Sequence, residues 1–123
     1  MPRMRHGWSP ITAADAVAYD LLEPMQYKGA ADLRRRAQQW FDSYDGPMTY
    51  VIRDLVVVPG YEAAFCHGLH HVAGTLTTGQ KVDMWWRATQ GFRRIDDKWQ
   101  FVHEHSSLPF DMASGKVSFE LTP

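Results

Sequence analysis

The second half of the chain is patterned as long strands that follow one another, with no room for helices between them. Strand-like segments occupy residues 48–60, 61–80, 81–97 and 98–110. Turn residues separate them at Pro59-Gly60, Thr78-Gly79 and Asp96-Asp97. Strands joined by turns this short pair antiparallel. Such a long sheet has to curl, and we expect residues 115–123 to add a short last strand.

Ahead of these strands, one segment has the periodicity of a helix. Within residues 29–46, apolar side chains recur at helical spacing, and Asp45-Gly46-Pro47 is a stop signal. The apolar positions are Leu33, Ala37, Trp40, Phe41 and Tyr44. We expect this face of the helix to pack on the sheet. One helix that leads into antiparallel strands predicts an α+β fold.

The size and composition of the chain indicate one domain. Its 123 residues are 45% apolar and 22% charged, which is enough apolar material for a packed core. Residues 1–10 are polar and contain two prolines, so we expect an irregular N-terminal arm there. Residues 11–123 are then expected to form a single domain.

Charge and cysteine content argue against several classes of partner. A net charge of −1 gives no basic field, so we expect neither nucleic acid nor a membrane as a partner. The single cysteine, Cys66, rules out an intramolecular disulfide. No apolar run resembles a secretory signal or is long enough to cross a bilayer. The default prediction is a cytoplasmic protein that binds no cofactor.

The stretch "WQFVHEHSS" in the last long strand contains two histidines either side of a glutamate. Under strict alternation, one face of this strand carries Trp99, Phe101, His103, His105 and Ser107. Pairing about the Asp96-Asp97 turn brings Arg87 and Thr89 beside the histidines. An arginine among aromatic rings and histidines suits an anion or a carbonyl group. The alternative is that Arg87 pairs with Glu104 or Asp83 and holds the sheet together.

The histidines lack the spacing of a metal site. His67 and His71 share a face of their strand, but zinc needs three or four convergent ligands, and no such motif is present. We therefore predict histidines that are hydrogen-bonded and no metal. Cys66 and His67 are neighbours on a strand, so they point to opposite faces and form no thiolate–imidazole pair. Cys66 is interpreted as a core residue.

Asp20 is the candidate acid/base residue. It follows the apolar stretch "AVAY" at the end of a short strand, where burial would raise the pKa of its carboxyl. The alternative is that Asp20 caps the following turn or pairs with an arginine.

Four stretches carry a resemblance that covers the chain from about Ala14 to Pro123. They are "AVAYDLLEPMQYKGAADLRRRAQQWF", "AAFCHGLHHVAGT", "MWWRATQGFRRIDDKWQFVHEHSSLPFD" and "SGKVSFELTP". Together they resemble the SnoaL-like branch of the nuclear transport factor two and ketosteroid isomerase superfamily. The histidine strand is also similar to the association domain of calcium/calmodulin-dependent kinase. The resemblance implies a curved antiparallel sheet wrapped as a cone against one main helix, with a pocket at its mouth. In ketosteroid isomerases an aspartate base precedes a loop that ends in glycine before a helix, and Asp20 and Gly29 occupy the matching places.

The start of the chain differs from that family. There a long N-terminal helix closes one side of the cone, whereas here we expect this helix to be shortened or absent. Either residues 1–10 or a partner subunit must then cover the apolar sheet. We therefore expect a homo-oligomer, a dimer or tetramer formed through the sheet.

These observations lead to three hypotheses for the function. The first is a domain that binds a small apolar or carbonyl-bearing molecule in an apolar pocket with a polar patch. Its predicted ligand-binding residues are Tyr19, Trp40, Arg87, Thr89 and His105. The second is an enzyme of the isomerase or cyclase type, with Asp20 as the general base and His103 as a second catalytic residue. The third is an association module without catalysis. The fold alone does not distinguish them.

Overall fold

The fold is described from a computed structural model for residues 11–123. The predicted N-terminal arm, and with it the question of a shortened N-terminal helix, lies outside the described residues. The elements are β1 (Ile11–Tyr19), β2 (Tyr27–Lys28), α1 (Ala30–Asp42), β3 (Thr49–Val58), β4 (Ala63–Thr75), β5 (Lys81–Ile95) and β6 (Lys98–Ser107). One helix and a curved, unclosed sheet confirm the predicted α+β class for this part of the chain.

The sheet has six strands in the order β2-β1-β6-β5-β4-β3. Strands β3 to β6 form the predicted antiparallel meander. The first strand departs from the expected pattern because β1 pairs parallel to β6. A short turn forces antiparallel pairing, but no short turn joins these two strands, so their relative direction is not constrained in this way.

The predicted last strand in residues 115–123 does not form. The tail reverses at Gly115, whose φ is 74°, and makes a single bridge between Phe110 and Val117. The Ser118 amide donates to the Pro109 carbonyl at 2.9 Å. The edge of β6 that a tail strand would use is already occupied by β1. The tail therefore satisfies part of its backbone hydrogen bonding within itself.

The β5–β6 hairpin turns at Asp96 and Asp97, as predicted. Their φ values are 51° and 63°, so both central residues are left-handed. This combination is typical of a type I′ turn, whose twist matches that of the flanking strands. The turn therefore sets the register with which β5 and β6 pair.

A bulge changes the faces that strict alternation assigns to β6. Gly91 pairs with His103, but Phe92 pairs with Phe101, which leaves Val102 as an extra residue. Phe101 therefore faces the opposite side of the sheet from His103, and the prediction that the two share a face is wrong. The β1–β6 ladder is interrupted at the same level, and the small buried residue Ala16 lies within that interruption. The bulge adds a local bend to the sheet.

Helix α1 covers one face of the sheet, which we call the helix-side face. It packs on β1 and β2, and the Trp40 ring contacts the Tyr50 ring edge-on at 6.0 Å between centroids. Tyr50 in turn contacts His70 and Trp86. We call the opposite side of the sheet the outer face.

Buried side chains are few among the described residues: Ala13, Ala16, Val72, Ala88 and His70. The edge strand β3 is exposed except at the half-buried Tyr50, with Val57 at 62%. Its ladder with β4 is interrupted between Arg53 and Val56, and Asp54 there has a φ of 56°. Within residues 11–123, no helix is long and apolar enough to span a membrane.

Val72 offers a direct test of where the core lies. Val72 is 2% exposed and Val57 is 62% exposed, and both lie in strands. We expect Val72→Ala to lower the free energy of unfolding by about 2 kcal/mol, because buried methyl groups are lost. Val57→Ala is the matched control and should cost about 0.5 kcal/mol or less. Urea unfolding measures both, and equal losses would contradict this assignment of the core.

Candidate functional site

The residues predicted from the sequence divide between the two faces of the sheet. Asp20 and Trp40 lie on the helix side, where Asp20 pairs with Arg36 of α1 and Trp40 contacts Tyr50. The outer face carries the other five: Tyr19, Arg87, Thr89, His103 and His105. Asp20 and His103, predicted as a catalytic pair, therefore project to opposite sides of the sheet.

The outer-face residues lie next to one another as the hairpin pairing predicted. Thr89 pairs with His105, and Arg87 pairs with Ser107, to which its Nε donates at 3.1 Å. The Tyr19 ring meets the two histidine rings edge-on, with centroids 4.8 Å from His103 and 5.4 Å from His105. Thr89, Arg87 and His105 are exposed. This group forms an open polar and aromatic surface.

Two contacts on the outer face identify the hydrogen-bonding partners of His103 and Asp83. His103 donates from Nδ1 to the Val17 carbonyl at 2.7 Å, so this ring helps to hold β1 on β6. Asp83 is hydrogen-bonded to His71 at 2.6 Å. Among the described residues, the structure thus records no ion pair between Arg87 and either Asp83 or Glu104.

The helix-side face carries a second group of polar side chains among aromatic rings. We call it the helix-side cluster, and its members are Asp20, Tyr50, His70, Trp86, Gln90 and Glu104. Strand register builds it, because Gln90 pairs directly with Glu104 and His70 pairs directly with Trp86. Gln90 Nε2 donates to Glu104 Oε2 at 2.8 Å. Residues from β3, β4, β5 and β6, and Asp20 directly after β1, therefore meet on this face.

Asp20 makes both contacts named as its alternative role. Its Oδ1 accepts a hydrogen bond from the Leu21 amide at 2.6 Å, and its Oδ2 lies 3.0 Å from Arg36 Nε. Both oxygens are engaged, one in a turn and one in an ion pair that joins the end of β1 to α1. Asp20 thus ties the helix to the sheet beside the cluster.

Glu104 is the residue that sequence reasoning missed. Burial raises the pKa of its carboxyl, and the nearby Asp20 adds to that rise, while the Gln90 hydrogen bond and His103 oppose it. The signal was present in "HEH", because alternation places Glu104 on the opposite face from His103 and His105.

Tyr50 and His70 form a hydrogen-bonded pair in the same region. His70 is 4% exposed, and burial lowers its pKa to about 4. Burial, together with the Glu104 charge, raises the pKa of Tyr50. The Trp86 ring packs on both, with centroids 5.6 Å from Tyr50 and 5.7 Å from His70. At neutral pH this pair is therefore uncharged.

Cys66 lies beside the cluster as a protonated thiol. Its Sγ donates to Gln90 Oε1 at 3.5 Å, and burial raises its pKa. A thiol with a raised pKa is a poor nucleophile. For metals, residues 11–123 contain no group of three or more His, Cys, Asp or Glu side chains placed to hold an ion.

Two small clefts open elsewhere on the described surface. One, of about 220 Å³, lies by the hairpin turn between Tyr61 and Arg94. The other, of about 160 Å³, lies where the C-terminal tail meets Leu69, Trp85 and Arg87. The hairpin cleft is polar and the tail cleft mostly apolar. The helix-side cluster is a separate surface, although its Trp86 also borders the tail cleft.

The buried His70 predicts a pH dependence of stability. Its pKa is 6.5 in the unfolded chain and about 4 in the folded one, so only the unfolded chain binds the proton between these values. The stabilisation is complete above pH 6.5 and is lost as pH falls through about 4. We expect the wild type to lose up to about 3 kcal/mol more than His70→Gln across this window.

Urea unfolding at a series of pH values measures this difference. Gln keeps a hydrogen-bonding partner for Tyr50 but does not titrate. The titration of Glu104 is present in both proteins and cancels in the comparison. Parallel pH profiles for the two proteins would contradict a neutral, buried His70.

Comparison with known proteins places this fold in a family. The model of the SnoaL-like domain matches residues 1–111. An NTF2-like protein of unknown function from Pseudomonas putida KT2440 is similar to this chain, with 32% identity and a TM-score of 0.80. The alignment covers 91% of this chain and 78% of that one. No protein of curated function matches significantly.

More distant structures share the fold alone. An uncharacterized protein with a cystatin-like fold from Caulobacter vibrioides is 13% identical, with a TM-score of 0.68 over 85% of this chain and 75% of that one. The association domain of C. elegans calcium/calmodulin-dependent kinase II is 15% identical, with a TM-score of 0.55 over 79% and 74%. The family match over most of the sequence agrees with the curved sheet and single helix described above. This chain belongs to the SnoaL-like domain family.

Proposed function

We propose that this protein binds a small apolar or carbonyl-bearing molecule on the helix-side face of its sheet. The observation that carries the proposal is a group of aromatic rings around hydrogen-bonded polar side chains. Tyr50 lies between Trp40 at 6.0 Å and Trp86 at 5.6 Å, and the Gln90–Glu104 pair shares the same face. Ligand sites combine apolar walls with a few placed polar groups in this way.

The partial burial of the cluster supports a binding role over a purely structural one. His70 is buried, but Tyr50, Trp86, Gln90 and Glu104 are only half-buried. A polar network that only stabilises the core is expected to be buried from solvent. An accessible network can exchange its water for ligand groups.

The hydrogen bond and ion pair of Asp20 argue against the isomerase-type hypothesis. As a general base, Asp20 has to accept a proton on an oxygen that already bonds Leu21 or Arg36. His103, its proposed partner, is turned to the outer face and bonded to Val17. Ligand binding does not require these contacts to break, so we rank a binding function ahead of catalysis.

The outer face supports a second proposal, self-association of the protein as a dimer or tetramer. Arg87, Thr89 and His105 are exposed there, and Trp85 packs on His71 with centroids 4.6 Å apart. Exposed arginine and aromatic side chains are enriched at protein interfaces. Tyr19, Arg87, Thr89 and His105 then belong to this surface and not to the ligand site.

The neighbouring residues Trp85 and Trp86 separate the two proposals, because they project to opposite faces. We expect Trp86→Ala to weaken binding of apolar carbonyl compounds, such as steroid ketones, by about tenfold or more. Trp85→Ala is the matched control and should keep that binding while weakening self-association. Thermal shift with a steroid panel measures binding, and sedimentation measures association.

Two outcomes would contradict these assignments. If both variants bind the panel like the wild type, the helix-side face is not the ligand site. If Trp85→Ala leaves the association constant unchanged, the outer face is not the interface.

A further inference from the structure

The charges on the helix-side face do not balance among the described residues. Asp20 and Glu104 contribute two carboxylates, whereas Arg36 is the guanidinium that pairs with a carboxylate there, and it pairs with Asp20. His70 is neutral because burial lowers its pKa to about 4. Among residues 11–123, no cation on this face therefore forms an ion pair with Glu104 when its carboxyl is ionised.

Most titratable groups around Glu104 among residues 11–123 are neutral or already paired. Tyr50 on β3 and Cys66 on β4 have raised pKa values and remain protonated. Asp20 and Arg36 form an ion pair. His103, the neighbour on β6, projects to the outer face and bonds Val17. Among the described residues, His103 alone opposes the raised pKa of Glu104 by its charge, and it does so from the other face of the sheet.

The hydrogen bonds on this face leave an acceptor available. Glu104 Oε2 accepts from Gln90, and the contacts recorded among residues 11–123 engage no donor with its other oxygen. Gln90 Nε2 and the Tyr50 hydroxyl already have partners, in Glu104 and His70. A ligand that brings a charged donor completes this arrangement, whereas a carboxylate ligand is repelled by Asp20 and Glu104.

Aromatic rings lie on the same face of the sheet as Glu104. Trp40, Tyr50 and Trp86 are in contact in series, edge to face. The faces of tryptophan and tyrosine rings attract cations, most strongly where water is partly excluded. The Glu104 charge reaches Tyr50, because it contributes to the raised pKa of that phenol. On this face of β5, only Ala88 lies between Trp86 and Gln90, the hydrogen-bonding partner of Glu104, so one ligand can contact both a ring and the carboxylate.

We propose that the ligand is a small organic cation, an ammonium group on an apolar or aromatic body, with the ammonium on Glu104 and the body against Tyr50 and Trp86. This inference rests on the proposed binding site and adds a charged ammonium group to the apolar molecule proposed there. Glu104 determines the charge of the ligand, and the rings determine its apolar character.

The test uses three probes of similar size but different charge: phenethylamine, phenethyl alcohol and 3-phenylpropionate. At pH 8, we expect phenethylamine to bind the wild type most tightly, followed by the alcohol and then the carboxylate. Glu104→Gln should weaken phenethylamine binding about ten- to hundredfold, because a charge-assisted hydrogen bond is lost. The same variant should weaken binding of the alcohol less than binding of the amine, because the Gln amide oxygen still accepts a hydrogen bond from a neutral hydroxyl.

Calorimetry measures these affinities, and a salt series adds a test that needs no variant. An exposed or half-buried ion pair weakens as salt is added, so phenethylamine binding should fall between low and high sodium chloride while alcohol binding stays level. This comparison remains available if Glu104→Gln does not fold.

The outcomes separate this inference from the proposed function. Equal binding of the amine and the alcohol, or amine binding that Glu104→Gln leaves unchanged, overturns the cation proposal. If the alcohol also binds and Trp86→Ala abolishes that binding, the helix-side site stands and only its charge preference is wrong. If none of the three probes binds but the steroid panel does, the cation proposal is wrong and the helix-side site stands. If neither the probes nor the panel binds, both proposals are wrong.

Discussion

The pairing of β5 with β6 determines what each side of this protein can do. The tight turn at Asp96 and Asp97 starts the hairpin, and the extra residue at Val102 then adjusts its register. As a result, Glu104 is opposite Gln90 on the helix side, and His105 is opposite Thr89 on the outer face. A shift by one residue exchanges these two sets. The register therefore places Glu104 on the helix side of the sheet, and His103 and His105 on the outer face.

Local features of the fold were predictable, because local residues cause them. Apolar spacing identified α1, and paired aspartates marked the β5–β6 turn. The parallel β1–β6 pairing was not predictable, since it joins residues more than 80 positions apart with no turn to guide them. The bulge at Val102 lies where the β1–β6 ladder is also interrupted, so local sequence did not predict it either. The tail strand was wrongly predicted because β1 had taken the edge it needed.

The candidate site, like the fold, was predictable from the sequence only in part. Alternation correctly grouped Arg87 and Thr89 with the histidines, yet it does not say which face meets the helix. That depends on α1, which Arg36 and Asp20 fasten to the end of β1. Once the helix side is known, Glu104 and Gln90 become the polar centre, and the histidines become surface residues. The sequence predicted this grouping correctly, and the assignment of the group to a ligand site stays a prediction.

The interruption of β3 at Asp54 affects how the protein behaves at high concentration. An exposed apolar edge strand is a template on which further chains add strand by strand. Here the positive φ of Asp54 and the break between Arg53 and Val56 divide the ladder into two short halves. Neither half offers a long, flat edge, so open-ended fibril growth from β3 is opposed. An assembly through a sheet face, as proposed for the outer face, can instead close into a finite particle.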